Sequence, residues 1–116
     1  MNKREIGSKY ENIAKNYLIN NGYKIIDTNF RVKFGEIDII AINSNYLCFI
    51  EVKYRGEGSL GTGFDAVDKR KQKTIYNVAK IYLVRKQLDE NDLKCRFDVI
   101  SIDENNNIEL LKNAFP

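Results

Sequence analysis

The 116-residue chain has no histidine and no tryptophan, a single proline at its last position, two cysteines and one methionine. Each shortage removes a class of chemistry. Without histidine there is no Ser-His-Asp or Cys-His triad, no His-ligated zinc, no HNH-type centre and no histidine acid/base pair of the ribonuclease kind. Cys48 and Cys95 cannot furnish a zinc site by themselves. Both fall in apolar, strand-like runs, where buried free thiols suit a reducing cytosol. The lone terminal proline leaves no proline-rich recognition segment. No apolar run approaches the ~20 residues that cross a bilayer. The polar start Met1-Asn2-Lys3-Arg4-Glu5 is unlike the apolar core of a signal peptide. These absences predict a cytoplasmic protein with no membrane partner. The length suits one domain over residues 1–116, with no room for a second folded unit. Carboxylate and lysine chemistry is what remains: 16 acidic and 19 basic residues give a net charge of +3.

Two of the acids sit where acids are costly. Asp38 lies in Gly35-Glu36-Ile37-Asp38-Ile39-Ile40-Ala41 and Glu51 in Phe49-Ile50-Glu51-Val52-Lys53, two of the most apolar stretches of the chain. A buried carboxylate must be paired, hydrogen-bonded or bound to a metal, so acids inside strand-like runs are candidates for a site. Both stretches alternate with period two around Asn43-Ser44-Asn45 and read as an antiparallel hairpin. With a tight turn at Ser44 and Asn45, residues whose numbers sum to 89 face each other. Asp38 then opposes Glu51, Glu36 opposes Lys53, and all four share one face. Opposed like charges with Cβ atoms about 4.5–5.5 Å apart destabilise a sheet unless a proton or cation lies between them. Mg²⁺ or Mn²⁺, which takes oxygen ligands and keeps several waters, meets that condition with two carboxylates. Lys53 can then orient or deprotonate an attacking water, or offset charge on a phosphoryl group. The same residues can also form a cross-strand ion-pair ladder on a solvated face.

Around this hairpin the pattern predicts an α/β protein. Ile6, Tyr10, Ile13, Ala14, Tyr17 and Leu18 recur at helical spacing and stop at Asn21-Gly22. Ser8 and Glu11 match a capping box, which explains Glu11 as well as a role in a site does. Tyr23 to Val32 reads as the first strand of a three-stranded meander. Tyr54 to Asp65 holds four of the seven glycines, either a flap over substrate or an ordinary connection; it has neither the P-loop ending nor a dinucleotide fingerprint. Ala66 to about Gln87 predicts a helix with Val67, Ile75, Val78, Ala79, Tyr82 and Leu83 on one side. Its other side carries Lys69, Arg70, Lys71, Lys73, Lys80, Arg85 and Lys86, with no acid between Lys69 and Leu88, whereas Asp89, Glu90 and Asp92 follow immediately. That block suits phosphate contact better than a salt-bridge ladder, which interleaves signs. Cys95 to Ile102 and Ile108 to Leu111 complete the order αβββαββ. Asp98, beside Arg96, reads as half of a structural ion pair.

An Asp on one strand followed by Glu-x-Lys on the next resembles the PD-(D/E)xK nuclease superfamily, which includes restriction-type endonucleases and Holliday junction resolvases. More closely, the chain resembles the YraN-like family of small bacterial proteins. The likeness runs through Gly7, Glu11, Gly22-Tyr23, Asn29-Phe30-Arg31, Gly35 to Ala41, Phe49 to Lys53, Arg55, Lys69 to Lys73, and Arg96-Phe97-Asp98-Val99 to Asn113-Ala114-Phe115. Ile37 stands where the superfamily motif has its proline. The resemblance implies a restriction-endonuclease-like core, a mixed sheet flanked by helices. It implies Asp38 and Glu51 as metal ligands joined by the Val52 carbonyl, Lys53 as catalytic lysine and Glu11 as an accessory acid. Gln72 and Tyr76 match a Gln-x-x-x-Tyr pattern of RecB-like members, although Tyr76 at the core edge accounts for itself. The expected activity is Mg²⁺- or Mn²⁺-dependent hydrolysis of DNA in repair or recombination. Arg31, Arg55, Lys69, Arg70 and Lys73 would position phosphates without reading sequence. A non-catalytic nucleic-acid-binding module on the same core is the other reading. A resolvase acting symmetrically on a junction needs two active sites, hence a homodimer.

Overall fold

The protein is described here by a computed structural model that covers residues 2–56, 67–89 and 94–115, leaving aside the Lys3 side chain. Helix α1 spans Lys3–Asn20 and begins at Asn2, whose side chain accepts from the Glu5 N–H at 2.8 Å. This overturns the capping box expected at Ser8 and Glu11: Asn2 caps the helix six residues before Ser8, leaving both residues inside α1. The helix stops at Asn21 and Gly22, the latter at φ +87°, a conformation that costs glycine little.

Five strands follow: β1 Lys24–Val32, β2 Gly35–Asn43, β3 Tyr46–Arg55, then, after helix α2 Lys69–Arg85, β4 Lys94–Asp103 and β5 Ile108–Leu111. They form one sheet in sequential order, with β1, β2 and β3 an antiparallel meander, β3 and β4 parallel, and β4 and β5 antiparallel. The fold is thus a mixed α/β sheet with two helices in the expected order αβββαββ. The parallel pair requires the crossover that α2 supplies. Asp68 caps α2 by accepting from the Lys71 N–H at 2.9 Å. The expected helix start at Ala66 and most of the glycine-rich stretch, residues 57–66, lie outside the described residues, as do Glu90 and Asp92. No described helix is long and apolar enough to cross a membrane.

The sheet is buried on both faces. Against α2 pack Ile37, Ile40, Leu47, Phe49 and Val99; against α1 pack Ile39, Ala41, Cys48, Ile50, Ile100 and Ile102. Central β3 therefore reads as a continuous apolar run, Leu47 to Ile50, because alternation is lost when both faces are covered. Cys48 is a buried free thiol, whereas Cys95 is only half-buried. Burial, followed by the nearby Asp98 charge, pushes the Cys48 thiol up to about 12, so it behaves as a small apolar side chain. Tyr76 stands edge-on to Phe97 and Phe115 at the margin of the α2 core, the packing role its position suggests.

A buried polar cluster ties the elements together at one end of the sheet. Asp98 is fully buried and accepts from Arg96 Nε at 2.9 Å, Tyr23 Oη at 2.9 Å and the Asn113 N–H at 2.9 Å. Arg96 also donates to Asn43 Oδ1 at 2.8 Å and lies against the Tyr23 and Tyr46 rings. One ion pair thereby pins the α1–β1 junction, the end of β2, β4 and the C-terminal tail. The expected structural pairing of Arg96 and Asp98 is present, with more partners than adjacency implies. Removing one member strands the other charge in the core. Arg96→Met should therefore cost about 3–5 kcal/mol in urea unfolding, and Arg96→Met with Asp98→Asn should cost less than the sum of the two single losses.

Candidate active site

The β2–β3 hairpin turns at Ser44 and Asn45, with Ser44 at φ +55°, and its ladder pairs Asn43 with Tyr46 through to Ile39 with Ile50. Every pair obeys the register expected from the sequence. Pairing stops one step short of Asp38 and Glu51. There the Asp38 carboxylate takes over from the ladder, accepting the Val52 N–H at 2.8 Å. The strand's alternation also breaks at this point: Ile37 and Ile40 face α2, whereas Ile39 and Ala41 face α1. On β1, Asn29 adopts φ +53° between the Thr28–Ile39 and Phe30–Ile37 pairs. The sheet therefore opens between β2 and β3 where the acids sit.

This opening corrects the arrangement of four charges on one face. Asp38 and Glu36 line a cleft of about 630 Å³ beneath α1, together with Arg4, Glu11, Asn29, Arg31, Val52 and Tyr54. Glu36 does not oppose Lys53; it accepts from Arg31 at 2.8 Å across β1 and β2. Glu51 turns toward α2, where its Oε1 lies 3.5 Å from Lys71 Nζ. Asp38 and Glu51 meet between the layers, close enough to act on each other.

The electrostatics follow from burial. Only 8% of the Glu51 side chain is exposed, and its Oε2 has no hydrogen-bond partner among the described residues. Desolvation, with the Asp38 charge second, pushes the Glu51 carboxyl up to about 8. Asp38 is raised as well, by burial, against the opposing pull of the Val52 N–H. Loss of solvent favours the neutral form of both carboxyls, and at Glu51 the Asp38 charge adds to it. Lys53 is lowered, by burial first and then by neighbouring Lys71. Lys71 keeps its charge: burial opposes it, but Lys53 beside it and the attraction of Glu51 and Asp38 raise it overall.

The other expected residues divide. Glu11, free of any capping duty, accepts from Asn29 Nδ2 at 2.9 Å inside the cleft that holds Asp38. Arg31 joins that cleft. Arg55 does not: its guanidinium turns to Glu109 of β5 at 3.4 Å. Lys69, Arg70 and Lys73 are exposed on the first turns of α2. The basic face is not wholly free, since Lys86 lies 3.9 Å from Asp27 and Arg85 covers the Phe30 ring. Gln72 donates to the Val67 carbonyl at 3.0 Å, a helix-end contact. The residue that sequence reasoning passed over is Lys71, counted only among the basic face. Its place in the first turn after Asp68 was the available signal.

Glu51 makes metal-free stability depend on pH. Its pKa rises from an ordinary 4.5 to about 8 on folding, so the folded chain binds more protons than the unfolded one. Stability should be full below the lower value and fall as pH rises toward the upper, by up to about 1.4 kcal/mol per pH unit. With chelator present, Glu51→Gln should flatten this fall in a series of urea titrations; parallel curves for both proteins would exclude Glu51 as its source.

A family model described as "Uncharacterised protein family UPF0102" matches residues 10–102, the span that contains Glu11, Asp38, Glu51, Lys53 and Lys71. A UPF0102 protein of Alkaliphilus oremlandii is 45% identical over 118 residues, covering 99% of this chain and 100% of the relative. A UPF0102 protein of Clostridium botulinum is 44% identical over 117 residues, covering 97% of this chain and 94% of the relative.

Proposed function

The chain belongs to the uncharacterised protein family UPF0102, and from the chemistry of its acid pair we propose that it is a divalent-metal-dependent nuclease with a restriction-endonuclease-like core, hydrolysing phosphodiester bonds in DNA. The observation that carries this reading is the pair itself. Half-buried Asp38, at the cleft, and buried Glu51 are brought together where the sheet opens, and Glu51 Oε2 has no hydrogen-bond partner among the described residues. A purely structural pair would have its oxygens satisfied, as those of Asp98 are.

The donor set fits a hard cation: carboxylate oxygens beside an open cleft, with room for the waters that Mg²⁺ or Mn²⁺ retains. Asp38 and Glu51 would hold it, and the Val52 carbonyl is the backbone oxygen of the same strand segment. Bound there, the ion would supply Lewis acidity toward the phosphoryl group. The protein groups do the rest. The Val52 N–H fixes the Asp38 carboxylate in place. Lys53, whose ammonium is destabilised by burial and by neighbouring Lys71, orients the attacking water and takes up its proton as the amine. As the water oxygen bonds to phosphorus the phosphodiester P–O bond breaks, and the leaving oxygen is protonated from solvent. Arg31 in the cleft and Lys69, Arg70 and Lys73 on α2 position neighbouring phosphates; Arg55 can join them only by leaving Glu109. Glu11 orders the cleft through Asn29. A four-way junction as substrate would call for a homodimer, whereas a flap or single strand would not.

The test is cleavage of labelled single-stranded, duplex, flap and four-way-junction DNA with Mn²⁺, Mg²⁺ or chelator. Metal-dependent cutting should fall on the order of 10²-fold or more in Asp38→Asn and in Lys53→Ala, with folding unchanged by circular dichroism. Binding without cutting on every substrate would instead make the protein a non-catalytic nucleic-acid module.

A further inference from the structure

Lys71 is placed by the start of α2. Its N–H donates to the capping Asp68 at 2.9 Å, so the helix end fixes its backbone. From there its side chain crosses to β3 and puts Nζ 3.5 Å from Glu51 Oε1. The two partners are unequal: the Glu51 side chain is 8% exposed, the Lys71 side chain 40%. The carboxylate is held by its strand, while the ammonium sits on a flexible stem with solvent behind it. On the neighbouring strand β2, Gly35 lets α2 lie close to the sheet: a Cβ there would stand 2.6 Å from Thr74 Cγ2.

Resting on the metal-dependent reading above, we infer that Lys71 is a displaceable counter-cation. It occupies Glu51 in the metal-free protein, gives way when a divalent cation takes the acid pair, and then offers its charge to the scissile phosphate. The charge balance favours this sequence. Two ionised carboxylates carry two negative charges, which a divalent ion neutralises by itself. An ammonium a few ångströms away is then surplus and is repelled by the ion in a site of low dielectric. An incoming phosphodiester brings one negative charge, which restores the balance. Lys53 is less suited to such movement, because it lies within β3, paired in the ladder with Ser101. Other basic residues of the α2 start, Lys69, Arg70 and Lys73, have no ion pair with either acid among the described residues. Lys71 thus differs from its neighbours on the basic face.

The test uses the full chain and titrates Mn²⁺ calorimetrically into the wild type, Lys71→Met, Lys71→Gln, Lys71→Arg and Glu51→Gln at constant pH. Removing the competing charge should tighten Mn²⁺ binding roughly tenfold in Lys71→Met and Lys71→Gln, with Lys71→Arg close to the wild type. Cleavage at saturating Mn²⁺ should nevertheless fall by about tenfold or more in the two neutral variants. Thermal melts in chelator provide a metal-independent arm. The losses from Lys71→Met and Glu51→Gln should be less than additive in the double variant, as expected for side chains in contact. Equal or weaker Mn²⁺ affinity in the neutral variants, or undiminished cleavage at saturation, would overturn the inference about Lys71 while leaving the nuclease reading in place. Additive melts would do the same. Absence of any Mn²⁺ binding that Glu51→Gln alters would overturn both.

Discussion

Removing an ionised group from water is the cost around which this molecule is arranged, and it meets that cost in two ways. At one end of the sheet the Asp98 carboxylate is fully buried yet accepts from a guanidinium, a phenol and a backbone amide. Nothing there is left for a ligand to do. Where β2 and β3 part, the second set of buried charges is incomplete: Asp38 has one amide donor, Glu51 has one partly exposed lysine, and a carboxylate oxygen lacks a hydrogen-bond partner among the described residues. The first arrangement spends its polar groups on holding the chain together. The second keeps them available.

The two ends depend on each other. The parallel β3–β4 ladder runs unbroken from Tyr46–Lys94 to Arg55–Asp103 and carries both sites on one rigid pair of strands. Arg96 and Asp98 secure β4 to the hairpin turn and the tail, which holds β3 in place. That anchoring allows β2 to diverge at Asp38 without loss of register elsewhere. An opening of this kind leaves backbone groups unpaired, and the Asp38 carboxylate satisfies one of them, the Val52 N–H. A site residue thus doubles as the element that stabilises the opening it occupies.

The helices contribute from opposite sides. From α1 the cleft receives Glu11, tied to Asn29 where β1 itself departs from regular geometry. From α2, on the other side, Lys71 reaches Glu51, and α2 comes close to the start of β2 at Gly35. Family membership adds that this chain's relatives match it over nearly all their length. A proposal about activity therefore rests on the chemistry of these residues, since a shared fold alone assigns none.

How much of this was legible beforehand follows from what sequence patterns report. Period-two and period-3.6 patterning records which local conformation a segment takes, and it revealed all seven elements, their order and the mixed α/β class. The two-residue turn at Ser44 and Asn45 set the hairpin register, and with it the approach of Asp38 to Glu51, because strand pairing propagates rigidly from a tight turn. Local pattern misplaced the capping of α1, since Ser8 and Glu11 satisfy the rule but Asn2, an equally good cap, precedes them and the helix already runs through Ser8. Other features depend on how layers dock and were decided only by the tertiary structure. The parting of β2 and β3 beyond Ile39, the turn of Arg55 toward Glu109, and the reach of Lys71 to Glu51 each join residues whose separation in sequence carries no periodic signal. By itself the sequence determined where an acid pair and a lysine would be brought together; tertiary packing decided that Glu51 would be buried, incompletely satisfied and faced by a half-exposed second lysine, because burial is a property of the assembled layers and of no single strand.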